Sequence, residues 1–441
     1  MNRLRRPGRE AVLAVLFGVL AIAGVAFLAF GGGDDSGGSS GPTAPAAVTG
    51  DLVIRDEVLS SGAYNAFTGA FLMRSGAVAT AWAHVSGPAA PRCTRPNVPA
   101  RCDDRGFRGA PEQFDVRQSK DQGRTWLAPF PDETVVDAQP YAYTGQPVIA
   151  LKAAPGQPDG TLLRRVNGED ISQFPEFSGV PGTAFLQRRA PGAAGWTGRQ
   201  ILLDPARFTY NISRIHRLRD GKTLIALGGF WEVPAGQRLT SHSGAQGQWL
   251  LMESTDEGRT WHNALEVPTS ASAVAPANEW DVAELSGGDL LAVMRTRDGD
   301  RAVRKQVILS KTDDTITTNT GTRSDGGWKM GTPQLTPPSF PQIDGPQHPD
   351  LVSIEYGPAR GGILHIADEG IEYTGDGGIT WAKLTFSRGW TPHYYPNAVQ
   401  APGGNIYIFS QAGADDDYTT NLNKPVYLDV IRLVPDRELT P

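Results

Sequence analysis

The chain has 441 residues, including 52 Gly and 34 Pro, and a formal net charge of −6. That length holds one large all-β domain or two smaller ones, and the Gly/Pro richness favours many short strands joined by turns. An acidic balance with no basic tract beyond residues 1–10 argues against nucleic acid as a partner.

In chain order, residues 1–10 (MNRLRRPGRE) carry Arg3, Arg5, Arg6 and Arg9 against Glu10 alone. Residues 11–30 (AVLAVLFGVLAIAGVAFLAF) contain no charged side chain. At about 1.5 Å per residue this run matches a hydrocarbon core roughly 30 Å thick. An N-terminal transmembrane helix is therefore expected, with residues 1–10 a cytoplasmic basic segment and the remainder extracytoplasmic. A cleaved signal peptide, leaving a secreted protein, is the competing reading, although the run ends in AFGGGDD without an A-x-A site. Residues 31–50 are Gly/Ser-rich and read as a flexible linker. Their formal G-x-S-x-G (Gly37, Ser39, Gly41) lacks the strand–turn–helix setting of a hydrolase elbow. The folded domain is expected over residues 51–436. Cys93 and Cys102, in an exported chain, are expected to pair as a structural disulfide; metal ligation is the alternative and lacks further ligands nearby. The seven histidines are scattered, and neither a metal set nor a cofactor motif is evident.

Two repeats organise the rest. SKDQGRTW (119–126), STDEGRTW (254–261) and TGDGGITW (374–381) share [S/T]-x-D-x-G-x-x-W. In each, the carboxylate of Asp121, Asp256 or Asp376 suits turn N–H groups, the Gly permits positive φ, and the Trp buries a large ring. Degenerate copies are expected at 188–196 and 322–328. The second repeat is two strands around a Gly turn, at 71–84, 212–229, 281–295, 350–368 and 397–411, with a weaker copy at 144–166. Six hairpins predict six four-stranded blades around an axis. DLVIRD (51–56) and VYLDVIRLV (426–434) are both strand-like, and pairing them in one blade would close the ring.

The first repeat is identified as the Asp-box, and the chain resembles the sialidase superfamily of six-bladed β-propellers. The resemblance implies an all-β fold whose Asp-boxes are structural. It also implies a pocket in which arginines grip a substrate carboxylate and a Tyr–Glu pair supplies the nucleophile. On that pattern Glu279, before the hairpin DVAELSGGDLLAVMR, activates the nucleophile, and Arg295, which ends the hairpin, binds the substrate. Asp281 and Arg297 are their neighbours and alternates. Tyr395, in HYYPNAVQ, is the expected nucleophile, with Tyr394 the alternative.

The chain also departs from the pattern. The first blade (63–73) has no Arg, and His348 stands where a further Arg is expected. His84 falls where a first-blade group would lie, and no acid/base Asp is identified. Asp415, Asp416 and Asp417 cluster in the last blade. Two functions remain open: an exo-acting glycoside hydrolase on an extracellular glycan, or a non-catalytic propeller that binds glycan or protein through a degraded site.

Overall fold

A computed structural model describes residues 48–62, 64–72, 76–85, 112–128, 130–132, 141–144, 148–150, 162–170, 183–189, 193, 197–204, 207–232, 248–267, 279–298, 301–335, 349–386, 390–412 and 424–435. All its strands fall in the compact unit 44–441. The predicted transmembrane helix, Cys93, Cys102, His348 and Asp415–Asp417 lie outside the described residues. Among the described residues no helix is long and apolar enough to cross a membrane.

The strand order gives six blades. β1 (Val48–Ser60) is set aside for the last of them. Blade 1 is β2 (Tyr64–Leu72), β3 (Val78–Val85), β4 (Glu112–Ser119) and β5 (Phe130–Asp132), paired in sequence order. Blade 2 has a first strand in two pieces, β6 (Tyr141–Thr144) and β7 (Val148–Ala150). Both pair with β8 (Leu162–Asp170), which is followed by β9 (Thr183–Arg189) and β10 (Thr197–Ile201). Blade 3 is β11 (Phe208–Arg217), β12 (Leu224–Glu232), β13 (Gln248–Ser254) and β14 (His262–Asn263).

Blade 4 departs from four strands. Its edge piece β15 (Leu265–Glu266) precedes the inner strand β16 (Trp280–Glu284), then β17 (Leu290–Asp298) and β18 (Arg301–Thr312). A side hairpin, β19 (Ile316–Thr318) with β20 (Gly321–Arg323), leads to β21 (Gly327–Met330) and β22 (Gln334–Leu335). Blade 5 is β23 (Asp350–Ser353), β24 (Ile363–Ala367), β25 (Gly370–Thr374) and β26 (Ala382–Lys383). Blade 6 is β27 (Tyr394–Gln400), β28 (Asn405–Gln411) and β29 (Val426–Pro435), completed by β1. The register Asp51↔Arg432 through Ser60↔Val426 is the ring closure expected from the two strand-like ends. It covers the outer edge of β29, with β1 becoming the outermost strand of that blade.

The core lies between blades, because successive strand residues point to opposite faces and each face meets a neighbouring sheet. In β17, Leu290, Ala292 and Met294 join a cluster with blade 3 that includes Trp249, Trp280 and Trp328. Leu291 and Val293 join Leu351, Ile363 and Trp381 of blade 5. Equivalent clusters fill the interfaces of blades 2 and 3, 5 and 6, and 6 and 1.

The three Asp turns repeat one hydrogen-bond pattern. The buried Ser119 hydroxyl donates to Asp121 Oδ1 (2.8 Å) and accepts the Gly123 N–H (2.6 Å). Asp121 then accepts the Thr125 N–H (2.9 Å) and hydroxyl (2.6 Å). Those Thr125 bonds hold the Asp121 carboxyl down to about 2. Asp256 and Asp376 repeat the arrangement with Ser254/Thr260 and Thr374/Thr380.

Each turn docks on the preceding blade. Trp126 of blade 1 packs edge-on against Phe409 of blade 6, ring centroids 5.7 Å apart, while the Tyr407 hydroxyl donates to Gln122 O (2.5 Å). The blade 3 turn meets Leu163 of blade 2 and accepts a bond from Gln200 Nε2 at Arg259 O (2.6 Å). The blade 5 turn exchanges Gly378 O and Trp381 Nε1 bonds with Gln306 of blade 4 (2.7 and 2.9 Å). Of the two expected degenerate copies, 322–328 keeps the Trp but not the turn. Trp328 Nε1 donates to Glu253 Oε2 of blade 3 (2.9 Å), whereas Asp325 is taken by Arg323.

Candidate active site

The inner strands β2, β11, β16, β23 and β27 surround the axis, and Glu279 and Tyr395 stand at the beginnings of two of them. The Arg295 N–H donates to Glu279 O (3.0 Å), extending the Trp280↔Met294 register by one rung. Glu279 and Arg295 are thus directly opposite across the hairpin, where charged side chains meet. Arg295 Nη1 bonds Glu279 Oε2, and its side chain remains 35% exposed. Burial opposes the Arg295 charge, but the Glu279 carboxylate outweighs it and raises the guanidinium pKa.

Tyr395 reaches the same carboxylate from blade 6, which is not a ring neighbour of blade 4. Its hydroxyl donates to Glu279 Oε1 at 2.8 Å. Local sequence explains how. Pro396 has no N–H to give a ladder, and the β27–β28 register slips between Tyr394/Gln411 and Asn397/Phe409. Such a bulge re-aims a side chain. Tyr395 adopts φ 50°, a left-handed conformation uncommon for a bulky residue and unfavourable before proline. Strain of this kind persists where surrounding structure imposes it. Tyr394 packs edge-on against Tyr395, ring centroids 4.4 Å apart. Burial foremost, then the negative charge of Glu279, push the Tyr395 hydroxyl well above its usual range. It therefore rests protonated, with a carboxylate placed to take that proton.

Asp281 is a correction. Expected as an alternate ligand for substrate, it has no exposed surface. Its Oδ1 contacts His216 Nε2 (2.5 Å) and the Val282 N–H (2.9 Å), and its Oδ2 accepts the Leu351 N–H (2.7 Å). Asp350 does likewise for the next pair of inner strands, accepting the Ala398 N–H (2.8 Å). Between them lies Arg214 of β11, 3.8 Å from Asp281 and 3.3 Å from Asp350. Burial pushes Asp350 up to about 7, with Arg214 opposing and Asp281 adding to the rise. Arg214, His216 and Asp350 were not anticipated as axial groups. The signal was present in ISRIHR, where Arg214 and His216 alternate toward the same face.

Beyond this buried layer, the later halves of the inner strands line an axial cavity of about 550 Å³, bordered by Arg217, Glu284, Ser353 and Gln400. The Tyr395–Glu279–Arg295 cluster is at the other ends of those strands. His84 and Arg297 have described backbones in β3 and β17, while their side chains lie outside what is described.

No family model matches the chain, and no curated protein matches it. Solved structures do. An α-L-arabinofuranosidase from Fusarium graminearum is 14% identical with a TM-score of 0.51, covering 85% of this chain and 98% of its own. The intramolecular trans-sialidase from Ruminococcus gnavus is 11% identical with a TM-score of 0.51, covering 88% and 98%. A Hadza microbial sialidase is 16% identical with a TM-score of 0.52, covering 85% of this chain and 66% of that one. At these identities the likeness establishes the fold, a six-bladed β-propeller of the kind seen in sialidases and arabinofuranosidases.

Proposed function

We propose that this six-bladed propeller is an exo-acting glycoside hydrolase using Tyr395 as nucleophile and Glu279 as its base, on a sialidase-like glycan substrate. The observation that carries the reading is the 2.8 Å bond from the Tyr395 hydroxyl to Glu279 Oε1, between non-adjacent blades. A neutral phenol suits an anomeric centre flanked by a carboxylate, which repels an anionic nucleophile. In the first step the Tyr395 oxygen bonds to the anomeric carbon as the aglycone bond breaks, and Glu279 takes the phenol proton. Water then cleaves the glycosyl–tyrosine bond: its hydroxyl stays on the sugar, Glu279 returns its proton to Tyr395, and the water's remaining proton passes through solvent to the departed aglycone oxygen. Arg295 pairs with the Glu279 carboxylate and presents its exposed part to substrate. The basic and apolar N-terminal segments, on the sequence argument alone, tether the enzyme to the outer face of a membrane.

The test uses 4-nitrophenyl α-sialoside and α-L-arabinofuranoside, whose leaving group departs without an acid catalyst. Wild-type chain is expected to release nitrophenolate from one of them, with Tyr395→Phe slower by at least about 10³-fold. Hydrolysis that survives in Tyr395→Phe would remove this residue from the mechanism. Absence of turnover with retained glycan binding would assign the protein to the non-catalytic class instead.

A further inference from the structure

A second group of side chains meets in the seam that closes the ring. Between Ile54↔Val430 and Glu57↔Leu428 the β1–β29 register shifts, and Asp56 sits in that bulge at φ 51°. The bulge turns Asp56 toward Asp429, whose Oδ1 accepts the Asp56 N–H at 2.8 Å. His393 arrives from the segment before β27, with Nε2 2.8 Å from Asp56 Oδ1. Its ring is fixed by stacking on Tyr427 at 3.8 Å between centroids. One ligand atom from each of Asp56, His393 and Asp429 lies within 4.8 Å of the others.

This arrangement is costly without a cation. Two carboxylates face each other, and like charges so placed repel. Arg55 Nε reaches only the outer oxygen of Asp56, at 3.0 Å. Asp429 has no exposed surface, and among the described residues its Oδ2 has no hydrogen-bond partner. A buried carboxylate oxygen left unsatisfied beside a second carboxylate and an oriented imidazole is the donor set of a metal site. One nitrogen and two carboxylates suit zinc or manganese better than calcium, which prefers oxygen alone.

We propose that Asp56, His393 and Asp429 bind one divalent transition-metal ion, which pins β1, β29 and the segment leading to Tyr395. The ion neutralises the facing carboxylates and takes up the unsatisfied Asp429 oxygen. The ion takes the lone pair of His393 Nε2 in place of the Asp56 contact, so the imidazole binds as its neutral form. The site is separate from the glycosidase reading, and its test reads no activity.

Full-length chain stripped with chelator is titrated with Zn²⁺, Mn²⁺ and Ca²⁺ separately, alongside His393→Gln and Asp429→Asn. The expected result is one Zn²⁺ or Mn²⁺ per wild-type chain, with a raised unfolding temperature. Both variants should bind at least about 100-fold more weakly, since loss of even an outer partner costs ~10–100-fold. Wild-type-like uptake by both variants, preference for Ca²⁺, or no uptake by the wild type would each overturn the site. Should the variants not fold, acylation of His393 by diethyl pyrocarbonate in the wild-type chain decides. Protection by Zn²⁺ supports the site, and unchanged labelling refutes it.

Discussion

Gly123 offers a direct measurement of how tightly one blade is fastened to the next. It lies at φ +81°, and a Cβ there would stand 2.5 Å from Tyr407 Cε1 and 3.4 Å from Cδ1. That ring cannot retreat easily: Tyr407 is fully buried and its hydroxyl is tied to Gln122 O at 2.5 Å. Gly123→Ala therefore carries two penalties. The left-handed backbone costs about 1–2 kcal/mol for an L-residue, and overpacking adds about 1–3 kcal/mol. Gly76 has the same φ of +81° with nothing within 4 Å of its Cβ position, so Gly76→Ala isolates the backbone part. In urea denaturation of the full chain, Gly123→Ala should lose about 2–5 kcal/mol and Gly76→Ala only about 1–2 kcal/mol, with slopes unchanged. Equal losses for the two variants would show that the docking of turn on Tyr407 is not a tight contact.

Other outcomes follow from the site and the core. Glu279→Gln keeps an acceptor for Tyr395 but no base; kcat/KM on the responsive nitrophenyl glycoside should fall ~10²–10⁴-fold, and a loss under tenfold would exclude Glu279 as base. Asp281→Ala strips the inner strands of a buried carboxylate that holds two N–H groups and His216, and should cost about 3–5 kcal/mol in chemical denaturation. Stability should also decline as pH rises. Burial lifts Glu372 to about 8 and Asp350 to about 7 in the folded chain, above ordinary carboxyl values. The folded state thus holds protons that the unfolded state has released, so stability present below about pH 4 is lost progressively up to about pH 8. Guanidinium midpoints at pH 5.5 and 8.5 measure this, and Glu372→Gln should flatten the difference. Stability that rises across this window would contradict the assignment.

The hairpins and their register were legible because each is local: alternation sets the faces, and Gly turns set the loops. Glu279 and Arg295 were legible for the same reason, being opposite residues of one hairpin. The Tyr395–Glu279 contact joins residues 116 apart, and there the sequence offered only a family pattern and a Tyr-Pro dipeptide. Asp281 was misplaced because two carboxylates two residues apart in one strand look alike in sequence. Only the neighbouring blades decide that Glu279 meets Tyr395 beside the partly exposed Arg295 while Asp281 is enclosed by Arg214, His216 and the Leu351 N–H. The Asp56–His393–Asp429 group was invisible for a like reason, its members being brought together by ring closure.

That closure has a consequence for how the molecule is made. The Asp56–Asp429 bond joins residues 373 apart, so the last blade cannot assemble until nearly all of the domain has left the ribosome. Contacts of such separation form late and slowly. The blade that waits longest is also the one that carries Tyr395. A truncated or half-translated ring would have blade 4 with Glu279 and Arg295 in place but no partner for them across the axis. The proposed chemistry is therefore confined by topology to chains that have finished folding.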